Sequence, residues 1–245
     1  MATYTAPTRQ YLFVDEFTGP AGSPPDPGKW VHDVGYGQWG NNEMETYTSD
    51  TANCFQDGNS NLVIRAIKTS SGYSSARIKT LGTFSAAGHT WEARMKLPLV
   101  AGTWPAWWMM GTSPSQWPQS GEVDVVEAYG SAPFMETSVH VPDGSGGMQS
   151  MSGQKGIRYQ DNTIDTGWHT YRMVWDVPGD GAFTFYLDGA PSPYLTVTAK
   201  KTGWRYGSNP LYMLLNLAVG GTGGGSPSGT AFPVDFMIDY VRVWA

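Results

Sequence analysis

The chain has 245 residues, 15 Lys and Arg against 21 Asp and Glu, and a formal net charge of −6. That balance disfavours a nucleic-acid partner; no apolar run reaches the roughly 18 residues of a membrane span, and no membrane partner is expected. A single cysteine, Cys54, excludes an intrachain disulfide and reads as a packed thiol.

This length suits one β domain, with residues 1–10 as an N-terminal extension. The 31 Gly and 17 Pro punctuate many short apolar runs and favour turns and strands over helices. Aromatic residues make up 13% of the chain, with 11 Trp and 13 Tyr, enough for both a core and a sugar-binding surface.

In chain order, Tyr11 to Phe17 reads as a first strand, and the Pro/Gly stretch 19–28 as a loop. Gly35-Tyr36-Gly37-Gln38-Trp39-Gly40-Asn41-Asn42-Glu43 is a glycine-spaced loop carrying aromatics and amides. It is either a plain turn or a hydroxyl-binding edge, since amides both donate and accept. An Asp57-Gly58-Asn59 turn precedes the strand Asn61 to Ile67, and Ser75 to Lys79 is another short strand. Over Thr90 to Leu97, Trp91, Ala93, Met95 and Leu97 alternate with Glu92, Arg94 and Lys96, by default a solvated polar face. In Gly102 to Gly111, if extended, Trp104, Ala106 and Trp108 share one face and Trp107 and Met109 the other. With tryptophan on both faces, one set of rings meets something other than the core.

Gly121-Glu122-Val123-Asp124-Val125-Val126-Glu127 concentrates three carboxylates among three valines. In a regular strand Glu122 and Asp124 share a face and Glu127 takes the other. One extra residue at Val125-Val126, a β-bulge, returns Glu127 to the first face. The two glutamates are then four steps apart, roughly 13 Å along the backbone, and leaning side chains bring the carboxyls within roughly 5–6 Å, near the separation of about 5–5.5 Å that retaining glycosidases use. A surface strand with solvated acids is the alternative.

Met135 to Val141 reads as a neighbouring strand that brings His140 near Glu127, or holds it structurally; residues 142–156 read as a loop. Trp168 to Asp176 and Ala182 to Gly189 flank a Pro178-Gly179-Asp180-Gly181 turn, a hairpin signal. Leu211 to Gly221 is a nearly continuous apolar run and reads as a strand covered on both faces, with Asn216 its only amide. A buried amide needs partners. Val234 to Trp244 is the last strand. The four histidines lack metal-ligand spacing.

The motif Glu122-x-Asp124-x-x-Glu127, together with the Trp39-Gly40-Asn41-Asn42-Glu43 segment and the Trp104 to Trp108 segment, resembles glycoside hydrolase family 16, its laminarinase-like branch. The resemblance implies an all-β fold, two curved antiparallel sheets in a β-jelly-roll sandwich with a concave substrate cleft. It implies Glu122 as nucleophile, Asp124 as its assistant and Glu127 as acid/base. It also implies substrate contacts from Trp39, Asn42, Glu92, Arg94, Trp104, Trp108, His140 and Asn216, with Trp107 as packing. The implied partner is a β-glucan polysaccharide, with mixed-linkage glucan or a galactan as alternatives, and a glycan-binding protein without turnover as a further one. No cofactor is needed for catalysis. One structural calcium ion is allowed for, with Glu16, Gly58 and Asp239 as its ligands. A secreted monomer is expected, a mature domain without its leader. In one place the chain departs from the pattern: Thr222-Gly223-Gly224-Gly225 stands where that branch carries a cleft tryptophan.

Overall fold

The computed structural model describes residues 9–113, 117, 119–132, 134–142, 148–150, 166–177, 181–198 and 209–245. In chain order the strands are β1 (Tyr11–Asp15), β2 (Val31–Asp33), β3 (Glu45–Tyr47), β4 (Cys54–Gln56), β5 (Leu62–Thr69), β6 (Gly72–Ser75), β7 (Arg77–Lys79), β8 (His89–Lys96) and β9 (Thr103–Gly111). They continue with β10 (Glu122–Ala128), β11 (Met135–Pro142), β12 (Met148–Ser150), β13 (His169–Trp175), β14 (Phe183–Leu187), β15 (Leu195–Val197), β16 (Leu211–Val219) and β17 (Val234–Trp244).

They form two sheets. The outer sheet has ten strands on the path β15-β14-β13-β8-β17-β5-β6-β3, with β1 beside β17 and β4 beside β5. The cleft sheet has seven, β12-β11-β10-β9-β16-β7-β2. Pairing is antiparallel except between β3 and β6. The first and last strands adjoin, as Asp15 pairs with Val241. The expected hairpin is β13–β14, with Trp175 opposite Phe183; its turn residues 178–180 lie outside the described residues.

The core lies between the sheets. Trp91, Ala93 and Met95 of β8 face Trp107 and Met109 of β9, Val123 of β10 and Met213, Leu215 and Leu217 of β16. Strand β16 is buried along its whole length, as its apolar run requires. Two expectations need correction. The strand expected over Ser75 to Lys79 is two strands, β6 and β7, in different sheets, because the chain crosses between layers at buried Ala76. The stretch 142–156 contains strand β12, paired with β11, while 143–147 and 151–156 lie outside the described residues.

Strand β10 is bulged where the valines double. Asp124 pairs with Trp108 and Val126 with Trp107, so one residue is extra between them. On the other side the register slips between Asp124 and Glu127. Val125 and Val126 are both fully buried. A flat strand with this sequence sends Glu127 into the core, at a cost of several kcal/mol for a desolvated carboxylate. The bulge avoids that and buries a second valine instead, which stabilises by roughly 1.5–3 kcal/mol.

Candidate active site

The ladder sets the side chains of the cleft sheet in rows. Glu127, Ala106, Asn216, Arg77 and Asp33 form one row across β10, β9, β16, β7 and β2. Asp124, Trp108, Leu214 and Lys79 form the next, and Glu122, Met110 and Tyr212 the third. Above these rows lies a cleft of about 390 Å³, with Glu122, Asp124 and Glu127 together in its wall. Trp39, Arg77, Trp104, Trp108, Trp117 and Asn216 also line it. That volume falls within the range of small-molecule sites.

Each carboxyl has its own environment. Glu127 accepts from Trp104 Nε1 on Oε1 at 2.8 Å and from the Tyr129 hydroxyl on Oε2 at 2.9 Å. Glu122 accepts from the indole nitrogen of Trp117. Asp124 is buried, and its Oδ2 lies 2.9 Å from His140 Nε2. Burial pushes Glu122 up to about 8, reinforced by the charge of Asp124 and opposed by His140. Burial raises Asp124 well above the usual carboxylate range, helped by Glu127. Burial also lifts Glu127 to about 7, against the hydrogen bonds from Tyr129 and Trp104. Burial and mutual repulsion thus favour keeping protons within the group of three. Such a set can protonate a leaving group while another member attacks.

A hydrogen-bond chain supports the far wall. Trp108 Nε1 donates to Asn216 Oδ1 at 2.7 Å, and Asn216 Nδ2 donates to the Tyr47 hydroxyl at 3.1 Å. That hydroxyl donates to Glu43 Oε2 at 2.9 Å, and Asn41 Nδ2 donates to Glu43 Oε1 at 3.2 Å. The Arg77 guanidinium sits 4.9 Å from the Trp39 ring and 4.8 Å from the Trp108 ring, with Nε 3.1 Å from Asp33 Oδ2. The stack fixes the two indoles by cation–π attraction.

Of the expected contact residues, Trp39, Trp104, Trp108 and Asn216 line the cleft, and Trp107 is buried in the core. Three corrections follow. Asn42 is exposed in a turn with φ 58°, a conformation Asn tolerates, and its neighbour Asn41 lines the cleft instead. Glu92 and Arg94 point outward from the outer sheet, because Trp91, Ala93 and Met95 take β8's inner face. There Glu92 accepts from the Tyr240 hydroxyl at 3.1 Å and Arg94 pairs with Asp239 at 2.6 Å. His140, opposite Glu122 and close enough for its charge to act on Glu127, is not among the residues that line the cleft. Of the residues expected to hold calcium, Glu16 accepts from both Arg242 Nε (2.7 Å) and Nη2 (2.8 Å), and Asp239 pairs with Arg94. Among the described residues, the three-ligand grouping within 4.8 Å is Glu122, Asp124 and His140, which shares two of the cleft carboxyls.

Sequence reasoning missed Tyr129, Asn41, Glu43, Arg77 and Trp117. Tyr129 was legible, since it stands two residues after Glu127 and shares its face. Arg77 was not, because its position depends on the crossing at Ala76.

Residues 40–242 match the family described as Glycosyl hydrolases family 16. The beta-glucanase of Rhodothermus marinus is 32% identical over 254 residues, covering 98% of this chain and 86% of that protein. The laminarinase catalytic domain of Thermotoga maritima superposes with a TM-score of 0.80 at 32% identity, covering 96% of this chain and 98% of that one. A protein of Mycobacterium tuberculosis, described as an immunostimulatory antigen and pseudo beta-1,3-glucanase, superposes equally well, with a TM-score of 0.80 at 34% identity, covering 96% of this chain and 98% of that one.

Proposed function

Because the chain belongs to glycosyl hydrolases family 16, we propose that it cleaves β-1,3-glucan internally, with retention of anomeric configuration. The observation that carries this is the bulge, which sets Glu122, Asp124 and Glu127 on one wall of one cleft. Glu122 attacks the anomeric carbon while Glu127 gives its proton to the leaving oxygen. Asp124, buried and beside Glu122, keeps the proton that Glu122 must lack and hydrogen-bonds the nucleophile. Glu127, now a carboxylate, takes a proton from water, and the water oxygen displaces Glu122 from the sugar. Trp104 and Trp108 offer ring faces to pyranose C–H groups. On this reading the protein acts as a monomer on polysaccharide outside the cell.

Glucan binding without turnover is the second reading. The tryptophan-free run Thr222 to Gly225 favours it, as does the likeness to the M. tuberculosis pseudo beta-1,3-glucanase. The experiment is product analysis by mass and by ¹H NMR on laminarin, mixed-linkage glucan and a galactan. Laminarin oligosaccharides released first as the β-anomer are expected. α-Anomer product would overturn retention, and retention of the protein on laminarin without sugar release would replace hydrolysis by binding.

A further inference from the structure

The two hydrogen bonds on Glu127 differ in kind. An indole N–H only donates, whereas a phenolic hydroxyl donates or accepts. Trp104 is aimed at Oε1 and Tyr129 at Oε2. The two rings meet edge to face, 5.4 Å between centroids. The helical turn Gly221–Gly224 packs against both rings through Gly223. A Cβ on Gly223 would lie 2.6 Å from the Trp104 ring and 2.8 Å from Tyr129 Cδ1. The glycine run that lacks a sugar-facing tryptophan is thus the wedge that seats these rings.

We propose that Tyr129 is a positioning residue that assigns the transferable proton of Glu127 to Oε2, with Trp104 barring it from Oε1 and Gly223 fixing both rings. The proposal rests on Glu127 being the acid/base. A proton on Oε1 would face the Trp104 N–H head on, so the acid form carries it on Oε2, where the Tyr129 oxygen accepts it in the free protein and loses that hydrogen bond when the glycosidic oxygen arrives. In the first displacement the Oε2–H bond breaks and the proton moves to the glycosidic oxygen. The bond from that oxygen to the anomeric carbon breaks as the bond to Glu122 forms. The Tyr129 hydroxyl then turns to donate into the new carboxylate. In the second displacement a water proton returns to Oε2, the water oxygen bonds the anomeric carbon, and the bond to Glu122 breaks. Tyr129 does not ionise: burial and the Glu127 charge hold its phenol well above the usual range. The other titratable groups near this pair are Glu122, Asp124, His140 and Glu136.

Tyr129→Phe keeps the ring and removes the hydroxyl. On unactivated glucan kcat is expected to fall about ten- to hundredfold, the worth of a hydrogen bond to a charged group, with KM within about twofold. On an aryl glycoside whose leaving group needs no acid, the glycosylation rate should fall by less than about threefold. With one donor to the carboxylate lost, the alkaline limb of kcat/KM should move up by about one pH unit. Gly223→Ala should reproduce part of each effect. Equal losses on both substrates with an unmoved limb, or no loss at all, would overturn the proposal. A readout without turnover separates it from the functional reading: the titration of the Glu127 carboxyl carbon in ¹³C-labelled protein, identified against Glu127→Gln. A midpoint that rises in Tyr129→Phe supports the pairing even if the wild type releases no sugar, in which case the hydrolytic reading fails alone. An unmoved midpoint in a protein that hydrolyses laminarin sinks the pairing and leaves the hydrolytic reading standing.

Discussion

Val125 and Val126 are neighbours in the chain, yet both point into the core. Only one of them fits the alternation of β10 against β9. Deleting Val125 leaves Glu122-Val123-Asp124-Val126-Glu127, which alternates without a bulge and keeps Glu127 on the cleft wall. Such a variant should fold, lose about 1.5–3 kcal/mol with the buried valine, and retain measurable hydrolysis. Inserting an alanine after Val125 also restores alternation, but it sets the two glutamates six steps apart, roughly 20 Å along the backbone, so hydrolysis should be lost while the fold persists. Denaturant unfolding with a laminarin assay distinguishes the pair.

The two glutamates fail differently when neutralised. Glu122→Gln should lose more than about 10³-fold in kcat on every substrate, because no covalent intermediate forms. Glu127→Gln should lose about 10²–10⁴-fold on laminarin but little on the glycosylation step of a substrate with an activated leaving group. Equal behaviour on both substrates would contradict the division of roles. Burst kinetics with an aryl glycoside measures it.

Asn216 links Trp108 to Tyr47. Asn216→Leu leaves an indole N–H unpaired and the tyrosine hydroxyl short of a donor. The expected costs are about 1–3 kcal/mol of stability and a several-fold rise in KM, with kcat changed less. Chemical denaturation and steady-state kinetics give the two numbers.

Glu45 is fully buried beneath the same wall, with Oε2 accepting from the Val219 amide at 2.6 Å. Burial and the neighbouring Glu43 raise it to about 8. Between about pH 4.5 and 8 the folded chain holds a proton that the unfolded chain has released. Stability therefore falls as pH rises through this window and levels above it. Glu45→Gln mimics the protonated acid, since it can accept from Val219 and donate to Glu43. It should match the wild type near pH 4.5 and exceed it by a few kcal/mol at pH 8.5. Melting curves across pH test this; a constant difference would count against it.

Glu92→Gln and Arg94→Gln probe the outer face. Because neither side chain reaches the cleft, kcat/KM on laminarin should stay within about twofold. Loss of the half-exposed Arg94–Asp239 pair should cost at most about 1 kcal/mol. A tenfold rise in KM for either variant would restore them to the substrate site.

Much of the catalytic wall was legible because it depends on local pattern. The double valine predicts its own kink. The alternation of Trp104, Trp107 and Trp108 puts rings on two faces, of which the family resemblance names the platforms, and the apolar run around Asn216 predicts a strand covered on both faces. The errors fell where a face must be assigned to a layer. Glu92 and Arg94 alternate as clearly as Trp104 and Trp108, and alternation is the same whether a strand belongs to the cleft sheet or the outer one. Asn41 and Asn42 differ only in which of them bears the left-handed turn.

By itself, then, the sequence marked the longer strands and the one place where a bulge would gather the three carboxylates, because side-chain period and burial act over a few residues. Only the tertiary structure decided which sheet each strand joined, and so which polar face lined the cleft. It also decided that arginines hold Glu16 and Asp239 and that Tyr129 and Trp104 divide the oxygens of Glu127. Those outcomes depend on contacts between segments far apart in the chain, whose geometry is set by how the two sheets stack.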